Sequence, residues 1–151
     1  MSKQEIELTA YCGLYCGDCI RYRSKAADLA RDLREELQKV KFNNYVEVKS
    51  LFVKELKHYQ ECCDVLEAIV ELQCNNGCRD GGCPTFVCKI RECCQTRGYE
   101  GCWVCDEFEK CKEFEFLVPF HGDAPLRNLR KIRQIGLDEW ARDREKFFVW
   151  L

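Results

Sequence analysis

The sequence predicts a mainly α protein, with helices packed beside an irregular, cysteine-rich, metal-binding lobe. Three observations predict it. Residues 24–72 repeat apolar side chains at helical spacing. Residues 74–111 hold nine cysteines and five glycines but only seven other large apolar residues: Phe86, Val87, Ile90, Tyr99, Trp103, Val104 and Phe108. Residues 123–148 then return to helical spacing. The length of 151 residues suggests a single domain over 1–151, and 74–111 forms its cysteine-rich lobe.

Near the start, "IELTA" alternates apolar and polar residues, which predicts a short strand leading into the cluster "YCGLYCGDC" at 11–19. "SKAADLARDLREELQKVKF" follows, with Ser24 as the N-cap and Ala27, Leu29, Ala30, Leu33 and Leu37 as the apolar repeat. Asn43 and Asn44 predict its break. In a second helix, Phe52, Leu56, Tyr59, Cys63, Leu66 and Val70 form one face. Cys62 and Cys63 lie within it, and Cys63 reads as a buried free thiol. The segment 74–111 cannot build a conventional core by itself, and units of that kind are held by metal or disulfides. "HGDAPLRNLRKIRQIG" predicts a helix capped by Asp123, with Pro125 in its first turn and Gly136 as its stop. A last helix opens at Asp138. Leu126, Leu129, Ile132, Trp140, Phe147 and Phe148 are expected to pack on the first helices.

Composition narrows the function. A net charge of −2 argues against a nucleic-acid partner. The first residues show no apolar signal region and no run approaches 18 apolar residues, so a cytoplasmic protein without a membrane partner is expected. In that compartment thiols stay reduced, and fourteen cysteines point to metal or redox chemistry rather than disulfides.

The spacings are Cys12-x3-Cys16-x2-Cys19, then Cys74-x3-Cys78, Cys83, Cys88 and the pair Cys93–Cys94, then Cys102-x2-Cys105-x5-Cys111. Two thiolates two to four residues apart can turn toward one ion, and zinc takes four in a tetrahedron. "CWVC" at 102–105 is such a knuckle, and "CNNGC" at 74–78 is a looser one turned by Gly77. His58 and His121 lie beside no cysteine pair, so the sites should be nearly all sulfur, which suits both Cys₄ zinc and iron–sulfur clusters. The x3, x2 triplet also occurs in radical S-adenosylmethionine enzymes. Asp18 replaces the aromatic residue usual there, and the chain is too short for their barrel. Arg79, Lys89, Arg91 and Arg97 lie among the thiols, where they would offset thiolate charge. Arg127, Arg130, Lys131 and Arg133 read as a solvated basic face.

Together "YCGLYCGDC", "CNNGCRDGGC", "CKIREC", "GCWVC" and "LRNLRKIRQIGLDEW" resemble a family of small cysteine-rich bacterial and archaeal proteins catalogued as a domain of unknown function. The resemblance runs from Tyr11 to Trp140 and implies zinc binding. Carried over by position, its cysteines are Cys12, Cys16, Cys19, Cys74, Cys78, Cys88, Cys93, Cys102, Cys105 and Cys111. Cys62, Cys63, Cys83 and Cys94 are extras. Ten thiols suffice for two four-thiolate sites, and the early triplet suggests that the 12–19 loop closes onto the middle segment.

Two function classes follow. One is a metal-binding protein with Cys-ligated Zn2+ that organises a structural surface or a surface for a protein partner. The other is an iron–sulfur redox protein carrying [4Fe-4S] clusters. A thiol-based catalyst is a third reading. No Ser-His-Asp set, P-loop or paired-carboxylate signature marks a conventional enzyme.

Overall fold

A computed structural model of the chain describes residues 3–82 and 87–144. It is mainly helical, with no strand among the described residues. The chain divides into two compact units, Ile20–Asn75 and the combination of Met1–Cys19 with Asn76–Leu151.

The first of these holds helices α2 (Lys25–Lys39), α3 (Phe42–Lys49) and α4 (Tyr59–Glu71), numbered after α1 (Lys3–Leu8) of the other unit. Ser24 caps α2 as its sequence predicts, its hydroxyl accepting from the Ala27 N–H at 3.3 Å. Ala27 and Ala30 are buried and let α4 approach, whereas Leu29 and Leu33 stay exposed. The break after α2 falls at Lys41, which adopts the left-handed conformation at φ 52°. Asn43 and Asn44 lie inside α3, contrary to expectation. On α4 the stripe Tyr59, Cys63, Leu66 and Val70 is half-buried. Cys63 is therefore not the fully buried thiol expected. Phe52 leaves the stripe, 79% exposed, because a 3₁₀ turn over Lys54–His58 precedes α4 and ends the helical register.

The second unit contains α1, α5 (Lys89–Arg97), α6 (Val118–His121), α7 (Ala124–Ile135) and α8 (Leu137–Asp143), with short 3₁₀ segments among them. "IELTA" is not a strand. Its first three residues end α1, and only Thr9 makes an isolated antiparallel bridge, to Tyr15. Alternation over so few residues has no neighbouring strand to pair with. Pro125 and Gly136 bound α7 as expected, but the Asp123 side chain makes no cap and pairs with Arg127 at 3.1 Å.

The cysteine-rich segment shares its core with the late helices. Ile90, Cys94, Cys102, Trp103, Phe108, Phe114 and Leu117 pack in one cluster with Leu129, Ile132, Trp140 and Ala141. The late apolar residues thus find their burial on the cysteine-rich segment rather than on the first helices. Phe147, Phe148 and Cys83 lie outside the described residues.

Candidate metal centre

The site is built from three copies of one small device. In "CGDC" the Cys19 N–H returns to the Cys16 carbonyl at 3.0 Å, and in "CWVC" the Cys105 N–H returns to the Cys102 carbonyl at 3.0 Å. Cys111 closes a third such turn on Phe108 at 3.2 Å. Each is one 3₁₀ turn that leaves its last cysteine extended, with φ between −84° and −76° and ψ between 118° and 128°. The two x2 pairs therefore share the same backbone turn.

The glycines of "YCGLYCGDC" have distinct tasks. Gly13 sits at φ 82°, where a side chain is strained. A Cβ there would also come within 3.0 Å of Leu129 Cδ2 and 3.3 Å of the Pro125 carbonyl. Gly13 is thus where α7 meets the loop, and Asn128 Nδ2 donates to its carbonyl at 2.9 Å. At Gly17, a Cβ would run into the Tyr15 ring at 2.5 Å. That ring meets Trp140 edge-on at 6.4 Å and carries the Arg144 guanidinium 3.6 Å from its centroid. Arg144 also donates two hydrogen bonds to Asp18, at 2.8 and 2.9 Å, and clamps the turn between Cys16 and Cys19.

The thiols fall into two groups in this unit. The first comprises Cys12, Cys16, Cys19, Cys78 and Cys88. The Cys78 N–H donates to Cys16 Sγ at 3.2 Å, and Arg91 Nη1 donates to the Cys78 carbonyl at 2.9 Å. Burial pushes the Cys12 thiol up to about 12, and the nearby Cys78 and Cys88 act in the same sense. Cys16 is shifted down, foremost by the hydrogen bond from the Cys78 side chain.

The second group lines a cavity of about 450 Å³, whose wall includes Cys93, Cys94, Cys102, Cys105 and Cys111. Cys94 Sγ and Cys102 Sγ are 3.5 Å apart. Their shared hydrogen bond lowers the Cys94 thiol and raises the Cys102 thiol. The two groups are joined through backbone: the Cys102 N–H donates to the Tyr11 carbonyl at 2.8 Å.

Arginines hold this frame. Arg79 donates to the carbonyls of Thr9 at 2.6 Å and Glu100 at 2.7 Å, and stacks 4.4 Å from the Tyr11 ring centroid. Its hydrogen bonds, like that of Arg91, go to carbonyls around the thiols. Arg79 and Arg97 also lower the Cys94 thiol by their charge. The basic face of α7 is exposed at Arg127, Arg130, Lys131 and Arg133, as expected, and its arginines form surface ion pairs. Arg130 pairs with Glu109 in the turn before Cys111, and Arg133 with Asp106 directly after Cys105.

Of the ten cysteines expected as ligands, nine lie in this unit, in the two groups. Cys74 lies in the Ile20–Asn75 unit, where its backbone bonds to the Arg21 carbonyl and the Arg23 N–H, each at 2.8 Å. Cys94, counted as an extra, belongs to the second group and is 1% exposed. Its four-residue step from buried Ile90 on α5 is the signal that it faces inward. The Asp18–Arg144 clamp had no local signal, because its partners are 126 residues apart. Cys62 is exposed on α4. His58 faces solvent near Glu61 at 3.6 Å, and burial lowers the half-buried His121. Among the described residues, no three His, Cys, Asp or Glu side chains converge as a ready-made metal cage. No helix of the described residues is long and apolar enough to cross a membrane.

A family model described as "Protein of unknown function (DUF3795)" matches residues 8–116, a span that takes in both thiol groups. No curated protein matches the chain. No solved structure matches it.

Proposed function

The chain belongs to the DUF3795 family, and we propose that it is a small metal-binding protein whose cysteines hold zinc and so organise a structural or partner-binding surface. The observation that carries this reading is the matched pair of x2 turns, Cys16–Cys19 and Cys102–Cys105, each set within its own group of five thiols. Zinc with four sulfurs at about 2.3 Å requires sulfur–sulfur edges of about 3.8 Å. The 3.5 Å between Cys94 and Cys102 is close to that edge. The donor chemistry also fits, each group being made of thiols. Cys12, Cys16, Cys19, Cys78 and Cys88 would supply one site. Four of Cys93, Cys94, Cys102, Cys105 and Cys111 would supply the other. Bound zinc would neutralise thiolate charge and cross-link turns far apart in sequence.

A second reading, [4Fe-4S] clusters, is favoured by the cavity of about 450 Å³ at the second group, which is roomier than a single ion needs. Purification without oxygen, followed by elemental analysis and a visible spectrum, separates the two. A colourless protein with stoichiometric zinc supports the first reading. A brown protein with iron and sulfide overturns it in favour of the second. A folded protein carrying neither metal sinks both.

A further inference from the structure

The Cys94 and Cys102 sulfurs are in direct contact, at 3.5 Å. Both are buried, at 1% and 8% exposure, and both line the same cavity. They come from different elements, α5 and the 3₁₀ turn Cys102–Val104, which share one apolar cluster with Trp103 and Phe108. A disulfide requires the sulfurs to close to about 2.05 Å, so the needed movement is on the order of 1.5 Å. The intervening chain already turns back on itself: the Tyr99 N–H donates to the Cys94 carbonyl at 2.8 Å, through the left-handed Gly98.

We infer that Cys94 and Cys102 form a redox-sensitive pair, a modification site at which a hydroperoxide that enters the adjoining cavity closes an intramolecular disulfide. One sulfur attacks the peroxide oxygen and the O–O bond breaks, giving a sulfenic acid and one water. The other sulfur then displaces hydroxide from the sulfenic sulfur, forming the S–S bond and a second water. In sum, two thiols and one hydrogen peroxide become one disulfide and two waters. The sulfurs lose two electrons and the peroxide gains them. Closure would withdraw Cys102 from the second thiol group, so the chemistry goes beyond metal binding and acts on the same turn.

The test uses the full chain as purified, with its metal content measured first. Reduced protein is treated with hydrogen peroxide, remaining thiols are alkylated, and tryptic peptides are read by mass spectrometry. Cleavage after Arg97 separates the two cysteines. The expected product links the peptide 92–97 to the peptide 98–110. Each peptide holds a second cysteine, Cys93 or Cys105, so variants assign the bond. The link should persist in Cys93→Ser and Cys105→Ser and vanish in Cys94→Ser and Cys102→Ser. Should Cys94→Ser misfold by circular dichroism, fragmentation of the linked wild-type peptides locates the bond. Persistence of the link in folded Cys94→Ser overturns the inference, as does oxidation of other cysteines while Cys94 and Cys102 remain open to alkylation. A protein that carries no metal yet closes this bond sinks the metal reading and leaves the pair standing. A metal-loaded protein that never closes it sinks the pair alone.

Discussion

The two units of this chain solve the problem of staying folded in different ways. In Ile20–Asn75 the contacts are between helices, and no residue of α4 is fully buried. Polar groups do much of the joining: Gln73 donates to Asp28 at 2.8 Å and to the Ser24 carbonyl at 3.2 Å, and Arg34 pairs with Glu67 at 3.1 Å. In the unit containing the thiols, Leu129, Trp140, Thr9, Pro125 and Cys94 are almost completely enclosed. Its regular elements are short, and its turns are held by carbonyl-bound arginines. Periodic helices can be stable with a shallow stripe, because backbone hydrogen bonds are satisfied locally. A segment made of turns must anchor each turn from outside.

The sharpest break in that comparison should come from metal. Structural zinc supplies about 10–16 kcal/mol in small peptides, so chelation under reducing conditions should loosen one unit and spare the other. Hydrogen exchange should speed up across 88–117 while the amides of α2 and α4 keep their protection. Cys102→Ser should reproduce part of that loss. Cys63→Ala, which removes a half-buried sulfur from α4, should leave both metal content and exchange at 88–117 unchanged. Equal loosening of both units on chelation would show that the metal is not confined to the thiol groups.

A packing comparison comes next. Leu129 is fully enclosed beneath Gly13, whereas Leu33 on α2 is 47% exposed. Leu129→Ala should cost about 2–5 kcal/mol in denaturant unfolding. Leu33→Ala should stay within about 0.5 kcal/mol. Similar costs for both would mean that the exposed face of α2 is covered in solution.

The clamp on "CGDC" should have a smaller, more local effect. Arg144 and Asp18 are 19% and 14% exposed, and their paired hydrogen bonds fix the turn between Cys16 and Cys19. Arg144→Ala should cost about 1.5–3 kcal/mol, typical of hydrogen bonds to charged groups. Arg144→Lys should recover only part of it, since an ammonium cannot reproduce the planar fork or the stacking on Tyr15. If both variants match the wild type in unfolding and metal retention, the clamp does not position the turn.

What the sequence revealed follows the range of the interaction. Ser24 as a cap, the stripe from Tyr59 to Val70, and Pro125 with Gly136 around α7 are decided within a turn or two of chain, and all were legible. "IELTA" misled because alternation has meaning only with a partner strand. Asn43 and Asn44 misled because the backbone reversal was taken by Lys41 two residues earlier. The spacing singled out the thiol-rich turns. It did not show that α7 and α8 would complete their core, because Leu129 and Trp140 meet Trp103 and Phe108 only after the chain folds back. Cys93 and Cys94 are adjacent in sequence, and only the helical phase set by Ile90 tells the enclosed sulfur from the exposed one.

The smallest effect lies in the helical unit and sharpens the contrast between polar joining and thiol chemistry. Asp28 is held below its ordinary value of 3.8, first by the hydrogen bond from Gln73 and then by Arg31. A carboxyl depressed in the folded state favours folding above the unfolded value. That contribution fades as pH falls through 3.8 toward the lower folded value. Acid should therefore weaken the Gln73–Asp28–Arg31 junction in this window, without any role for a thiol. Gln73→Leu removes the leading cause while leaving Arg31 in place, so Asp28 should titrate closer to 3.8. Carboxyl chemical shifts followed through an NMR pH titration would read this directly. The same titration should leave Glu109 depressed, since its cause, Arg130, lies in the other unit. An unchanged Asp28 curve in Gln73→Leu would assign the depression to Arg31 alone and remove Gln73 from the junction.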